Sequence, residues 1–251
     1  MQLCAITDRK HLTAATGAEA VLQRELRGLI SGWIQGGVDF IQIREKDLGL
    51  AALCSLTNQI LSGLDRHRSK VLVNLPPRAE WIRALAPIAD GIHIPGRLKS
   101  GSVALAREIF RRAGRAAILS ASCHSLEDVL SAKTEQVDFV LFAPVFGKIL
   151  REEVLGQNSA AGTATLKKSW RSAPPGSLVN GSAGVGDLKG QGLDALRAAC
   201  RAAGEMPVFA LGGVTTENAS ACLAAGATGV SGIRLFAEGT WRRLARTGSN
   251  I

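Results

Sequence analysis

Short apolar runs alternate with amphipathic stretches along almost the whole chain. Eight runs have the length and composition of strands: residues 3–7, 38–43, 70–74, 91–94, 117–122, 138–143, 207–211 and 229–233. Between most of them lie segments with apolar residues at helical spacing, at 18–34, 50–64, 103–113, 125–133, 193–203 and 216–225. Two of these carry start signals. Ser125 stands three residues before Asp128, and Thr215 and Thr216 precede Glu217, so each can accept from the freed N–H groups of a first helical turn.

An internal echo supports the alternation. The stretches "GGVDFIQIR", "IADGIHIPG", "EQVDFVLFAP" and "AGATGVSGIR" each place a small or polar break, then a short strand, after a helix. Eight strand–helix units predict the α/β class and a single (β/α)8 TIM barrel spanning residues 1–251. An open doubly wound sheet is the other arrangement such alternation allows, but no G-x-G-x-x-G follows the first strand. One region breaks the rhythm. From 147 to 190, after the sixth strand, the chain is rich in Gly, Ser, Ala and Lys and contains Pro174-Pro175. It reads as a long insertion, either flexible or acting as a lid.

Composition narrows the function. At 251 residues, 46% of them hydrophobic, the chain suits one large domain with a sizeable core. Its net charge of +9 points to anionic ligands or to a solvated basic surface. Aromatic residues make up only 4%, Tyr is absent, and no basic run has aromatics interleaved, so no nucleic-acid partner is expected. Cysteines at 4, 54, 123, 200 and 222 are odd in number, widely spaced and without a C-x-x-C pair, which fits buried thiols in a reducing compartment. No apolar run reaches the roughly 18 residues of a membrane span, so no membrane partner and a cytoplasmic location are expected.

Active sites of such barrels lie at the C-terminal ends of the strands. There the second strand ends in "FIQIREKD", residues 40–47. Strand alternation puts Gln42, Arg44 and Lys46 on one side, and Ile41, Ile43 and Glu45 on the other. Gln42 would face the barrel interior, with Arg44 and Lys46 on the rim as an anion clamp; the alternative is that both cations only pair with Glu45, Asp47 or other neighbours. The seventh and eighth strands end in Gly212-Gly213 and in Ser231-Gly232, where backbone N–H groups can approach a phosphate. Other strand ends offer Asp8-Arg9, Asn74, His93, His124 and Lys148. His124 follows the fifth strand just before a helix, a good place for an acid or base. His93 reads equally as a hydrogen-bonded structural residue, Cys123 as a buried thiol, and His11 and His67 carry no signal.

Taken together, "ITDR" (6–9), "GGVDFIQIREKD" (36–47), "VLVN" (71–74), "ADGIHI" (89–94), "SCHSLEDV" (122–129), "DFVLFAPVF" (138–146), "ALGGVTTEN" (210–218) and "AAGATGVSG" (224–232) resemble the thiamine-phosphate synthase and TenI family. The resemblance implies a (β/α)8 barrel acting on thiazole phosphate. It implies that Gln42, Arg44, Lys46 and Asn74 hold a pyrimidine diphosphate in synthases, and that Gly212, Gly213 and Ser231 hold the thiazole phosphate. Two departures stand out. The family's Asn-Asp pair after the third strand reads Asn74-Leu75, and its Gly-Gln-Glu-Asp after the fourth reads Pro95-Gly96-Arg97-Leu98. Both Mg2+-binding carboxylates are thus replaced by Leu. The Thr-x-Thr-Lys segment is also broken, leaving Lys148 as the one candidate for the family lysine.

The expectation is therefore a thiamine-pathway enzyme binding a phosphorylated thiazole, with TenI-type proton transfer by His124 and no metal or other cofactor. Mg2+ and a pyrimidine diphosphate enter only if the chain is a synthase. A barrel that binds a phosphate ligand without catalysis is the alternative of another class. A homo-oligomer is left open.

Overall fold

The structure, a computed structural model, describes residues 1–12, 19–66, 68–153, 167–172, 187–188 and 190–246. Its strands are β1 (Gln2–Ile6), β2 (Phe40–Ile43), β3 (Lys70–Asn74), β4 (Gly91–Ile94), β5 (Ile118–Cys123), β6 (Phe139–Phe142), β7 (Lys148–Glu153), β8 (Lys167–Ser172), β9 (Asp187–Leu188), β10 (Val208–Ala210) and β11 (Gly229–Gly232). Eight of them close into a barrel in the order β1-β11-β10-β6-β5-β4-β3-β2, every neighbouring pair parallel. Each of the eight expected strands is one of these staves.

The helices are α1 (Glu19–Gln35), α2 (Leu50–Leu61), α3 (Ala79–Leu85), α4 (Ser102–Arg112), α5 (Leu126–Thr134), α6 (Gly192–Ala203), α7 (Ala219–Ala224), α8 (Arg234–Ala237) and α9 (Arg242–Arg246). Apolar periodicity does not single out α3, which has only seven residues, nor the short α8 and α9. The start signal at Ser125 is real: its hydroxyl accepts from Asp128 N at 3.1 Å. The signal at Thr215 and Thr216 is not. Asn218 precedes α7 but makes no cap bond into it; its Oδ1 accepts from Thr215 N at 2.8 Å in the turn before the helix. In the expected insertion, β7, β8 and β9 form an antiparallel sheet in the order β8-β7-β9. Whether the rest is flexible or a lid falls outside the described residues.

Closure divides the apolar residues into two sets. Those between strands and helices form the main core, with Val71, Val73, Ile92 and Ile94 against Ile82, Leu85 and Phe110. Those inside the cylinder form a second cluster around Cys4, Ile6, Leu72, Phe139, Leu141 and Phe209. The rings of Phe40, Phe139 and Phe209 meet there with centroids 4.7, 5.7 and 5.1 Å apart, filling the interior as barrels require. Further along the same strands the interior turns polar. His93 is 1% exposed and both its ring nitrogens are engaged, Nδ1 with Ser120 Oγ at 2.9 Å and Nε2 with Ser122 Oγ at 2.8 Å. Burial above all, then the nearby Arg44 and Lys46 cations, pushes its pKa down to about 3. This is the structural histidine of the two readings.

The sequence echo has a mechanical cause. Asp39, Asp90 and Asp138 each stand one residue before an even-numbered strand. Their carboxylates accept from N–H groups of the preceding strand: Leu3 at 2.8 Å, Val71 at 2.8 Å and Leu119 at 2.6 Å. A parallel barrel leaves donors unpaired at its lower rim where strands are staggered, and a carboxylate satisfies one in each of three strand pairs. Asp90 additionally holds Arg66 at 2.7 Å and Arg115 at 3.3 Å, so it belongs to the frame and not to the site.

Asp39→Ala is expected to lower unfolding free energy by about 1–3 kcal/mol, the cost of orphaning a buried donor, without changing ligand affinity; urea titration and calorimetry check both. His93 gives a pH dependence. Its imidazole stays neutral in the fold down to about 3 but takes a proton near 6.5 in the unfolded chain. The unfolded state then binds more protons, so stability is full above about 6.5 and falls as pH drops toward 3. Denaturation midpoints between pH 4.5 and 6.5 should therefore fall more steeply in the parent protein than in His93→Gln.

Candidate active site

Residues singled out from the sequence stand at the C-terminal ends of five strands, β2, β3, β5, β10 and β11. Gln42 on β2 is 3% exposed, and its Oε1 has no hydrogen-bond partner. A buried amide oxygen left so costs about 1–3 kcal/mol, which a donor on a ligand would recover. Asn74 ends β3 beside it, paired in register with His93. Arg44 and Lys46 follow β2, Arg44 half-buried and Lys46 exposed. Arg44 lies 4.0 Å from Asp8, and Lys46 makes no ion pair among the described residues. Repulsion from Arg44, with burial second, lowers the Lys46 pKa despite Asp8. Two cations that destabilise each other are a ready counter-charge for an anion.

The carboxylates of the same octet point elsewhere. Glu45 is 4% exposed and faces away from Arg44, as the alternation requires. Its Oε1 accepts from Thr7 Oγ1 at 2.7 Å, and its Oε2 from Arg9 N at 3.1 Å and Arg9 Nη1 at 3.4 Å. The Arg9 guanidinium continues to Asp47 through two bonds of 2.8 and 2.9 Å. Thr7 Oγ1 also accepts from Arg44 N at 2.9 Å. Of the alternative that Arg44 and Lys46 only pair with Glu45, Asp47 or other neighbours, the first part is answered by Arg9 from β1's end, which takes both carboxylates, while Arg44 keeps Asp8 as a neighbour at 4.0 Å. Burial raises the Glu45 pKa, and the Thr7 and Arg9 bonds partly offset it.

The opposite side of the mouth is built from glycine. Gly212 and Gly213 have φ of 93° and 65°. A Cβ on Gly212 would come 2.8 Å from Pro144 Cα, and one on Gly213 would come 2.7 Å from Phe146 Cβ. The loop after β10 is stacked against the loop after β6, with Phe146 N donating to Gly212 O at 2.9 Å and Val145 N to Leu211 O at 2.9 Å. Asn218 closes it, donating through Nδ2 to Gly213 O at 3.0 Å. Among the described residues the Gly213 N–H donates to no protein acceptor, which leaves it for a ligand. Ser231 is fully buried and its hydroxyl donates to Cys4 O at 2.9 Å, so it serves the barrel wall. Gly232 ends β11 against Leu235, whose Cβ would lie 3.2 Å from an added methyl.

His124 joins the two sides. Its N–H donates to Asp128 Oδ2 at 2.9 Å while Ser125 caps α5, so the strand-to-helix junction is fixed from both ends. Its Nδ1 lies 2.7 Å from Ala143 O. A carbonyl can only accept, so Nδ1 carries the hydrogen and Nε2 keeps the lone pair. Gln191 Nε2 donates to the same carbonyl at 3.0 Å. Neighbouring Cys123 is 1% exposed, with a pKa raised to about 12 chiefly by burial, and is no nucleophile. Lys148 opens β7, and its side chain lies outside what the structure describes.

The cations, the glycines and His124 singled out from the sequence stand at these strand ends, while Thr7, Arg9, Asn218 and Gln191 were not singled out as the groups that hold them. The positions where the resemblance places metal-binding carboxylates hold apolar side chains in apolar surroundings. Leu75 is 1% exposed within the main core, and Leu98 packs against it. No group of three His, Cys, Asp or Glu stands together among the described residues. Mg2+ takes oxygen ligands in near-octahedral geometry, so these residues do not fit it. No helix among the described residues is long and apolar enough to cross a membrane.

Comparison with known proteins identifies the family. The chain is 30% identical over 208 residues to a putative thiamine-phosphate synthase of Geobacter sulfurreducens, covering 83% of this chain and 78% of that protein. It is 28% identical to putative thiamine-phosphate synthase 2 of Aquifex aeolicus, covering 94% and 98%. Its fold matches thiamine phosphate pyrophosphorylase from Pyrococcus furiosus with a TM-score of 0.61 at 20% identity, covering 97% of this chain and 91% of that one. The thiamine monophosphate synthase family model matches residues 5–173 and 179–236. With that match over most of its length, the chain belongs to the thiamine-phosphate synthase and TenI family, and is a thiamine-pathway enzyme.

Proposed function

We propose that this protein acts on a phosphorylated thiazole by metal-free acid–base chemistry, shifting a proton on the thiazole carboxylate phosphate in the manner of TenI-type members. The observation that carries the reading is Leu75. Where the family's synthases place a carboxylate for Mg2+, this chain has a leucine sealed into its core, with Leu98 beside the same cluster. A reaction that needs no departing diphosphate needs no such metal.

In this reading the phosphate sits at the Gly212–Gly213 turn, where the free amide and the glycine conformation permit close approach. Arg44 and Lys46 hold the other anionic group. His124 moves the proton. Its Nε2 lone pair takes a hydrogen from the ring and returns it to another ring atom, while Ala143 O holds Nδ1–H and supports the transient imidazolium. Gly232, Asn74 and Gln42 stand at neighbouring strand ends around the ligand, Ser231 supports them from the barrel wall, and the orphaned Gln42 oxygen accepts from the ligand.

A second reading has its own support. Gln42, Arg44, Lys46 and Asn74 are all retained, and the relatives described above carry synthase names. A synthase would join a pyrimidine diphosphate to thiazole phosphate with release of pyrophosphate, and would require Mg2+. In this chain the two leucines leave that ion without its family ligands.

Deuterium exchange into the thiazole carboxylate phosphate, followed by NMR in EDTA, tests the first reading. The parent protein should catalyse it, and His124→Ala should be slower by about 10²–10⁴-fold, the size of a lost general acid or base. Equal rates in the two proteins would contradict the role of His124; binding without exchange in either would leave a non-catalytic barrel. In calorimetry, Arg44→Ala should weaken binding of the same ligand by about 1.5–3 kcal/mol, the value of a hydrogen bond to a charged group. A lower melting temperature with unchanged affinity would make Arg44 an ion-pair partner of Asp8 only.

A further inference from the structure

The charge cluster after β2 contains as many carboxylates as cations; Glu45 and Asp47 are held by residues at the end of β1, while Arg44 reaches only as near as 4.0 Å to Asp8 and Lys46 makes no ion pair among the described residues. Glu45 and Asp47 alternate with Arg44 and Lys46, close enough in sequence to neutralise them. They do not, because the end of β1 reaches across. Arg9 bridges the two carboxylates, touching Glu45 at 3.4 Å and Asp47 at 2.8 and 2.9 Å. The Arg9 side chain is 12% exposed and that of Glu45 is 1% exposed, so this contact is shielded from salt. Thr7 completes the arrangement with one oxygen used twice: it donates to Glu45 Oε1 at 2.7 Å and accepts from Arg44 N at 2.9 Å. Thr7 N also donates to Gln42 O at 2.9 Å, fixing the residue two before Arg44. The backbone that presents Arg44 is thus pinned on both sides by a single residue of the neighbouring strand.

We propose that Thr7, Arg9 and Glu45 are positioning residues for the anion clamp: they occupy the carboxylates of the octet and fix the Arg44 backbone, so that Arg44 and Lys46 face the mouth available to a phosphorylated ligand. The inference rests on the reading that these two cations hold an anion. It adds that their availability is made by β1's end and not by β2 alone. Arg9 would act through the two carboxylates and not through the ligand.

Calorimetric titration with inorganic pyrophosphate at fixed ionic strength separates the possibilities, with folding followed by circular dichroism. Arg44→Ala serves as the control for the underlying reading and should raise Kd at least tenfold. Arg9→Met should raise Kd about five- to twentyfold, because Asp47 then keeps only the exposed Lys10 at 3.5 Å and can turn toward Lys46 and Arg44. Adding Asp47→Asn, at a mostly solvated position, should restore Kd to within about threefold of the parent. If the double variant stays as weak as Arg9→Met, Arg9 contacts the anion itself and the positioning role is wrong. Thr7→Ser keeps the hydroxyl and should bind within about twofold of the parent, while Thr7→Val should bind three- to tenfold more weakly with an intact fold. If Thr7→Val and Arg9→Met both bind as the parent does while Arg44→Ala is weak, the clamp stands and the positioning network does not. If Arg44→Ala also binds normally, the clamp itself is refuted.

Discussion

Closure of the eight-stranded sheet is the constraint on which the rest depends. Once the strands form a cylinder, every second side chain must fit inside it, and no water is available to hydrate what is placed there. The lower storey meets this with three phenylalanine rings and aliphatic neighbours. Polar groups are thereby confined to the upper storey, where His93 is satisfied by two serines and the Gln42 Oε1 has no partner. The unmet acceptor and the two cations above it are where the barrel departs from self-sufficiency, and such departures gather at functional sites. Closure also creates the lower-rim donors that Asp39, Asp90 and Asp138 answer.

The site is held by contacts between neighbouring staves. β1 fixes the clamp on β2 through Thr7 and Arg9, and the loop after β6 fixes both His124 and the glycine turn after β10. Pro144 and Phe146 leave no space for side chains at Gly212 and Gly213, so the turn is shaped by packing as much as by its own φ values. Asn218 then locks the turn with one acceptor and one donor. A ligand meeting such a site pays little to order it, which is how a rigid scaffold turns a few polar contacts into affinity.

Much of this was legible in the sequence. The strands were, because a buried parallel stave reads as a short apolar run, and the alternation of Phe40–Asp47 already put Glu45 opposite Arg44. What the octet could not say was who takes Glu45. Its partners lie 36 and 38 residues earlier, and only the register of β1 on β2 brings them there. The same holds for the repeated Asp: the echo was visible, but its purpose needed the neighbouring strand's N–H. The two threonines before Glu217 looked like caps, but α7 has no side-chain cap, and Asn218 at its start instead ties the preceding turn, accepting from Thr215 N and donating to Gly213 O. Helix α3 escaped because seven residues after Pro76-Pro77 hold too few turns to show a period.

The central claim is that this barrel has left metal-assisted diphosphate chemistry and kept the thiazole phosphate pocket with its acid–base histidine. The measurement that tests it most directly is thiamine phosphate formation from the pyrimidine diphosphate and thiazole phosphate, run in parallel with Mg2+ and with EDTA. The account predicts slow or absent product under both conditions, with some Mg2+-dependent gain when Asp is placed at both Leu75 and Leu98. Rapid formation by the unmodified protein, abolished by EDTA, would contradict it and make the chain a synthase whose metal is held elsewhere.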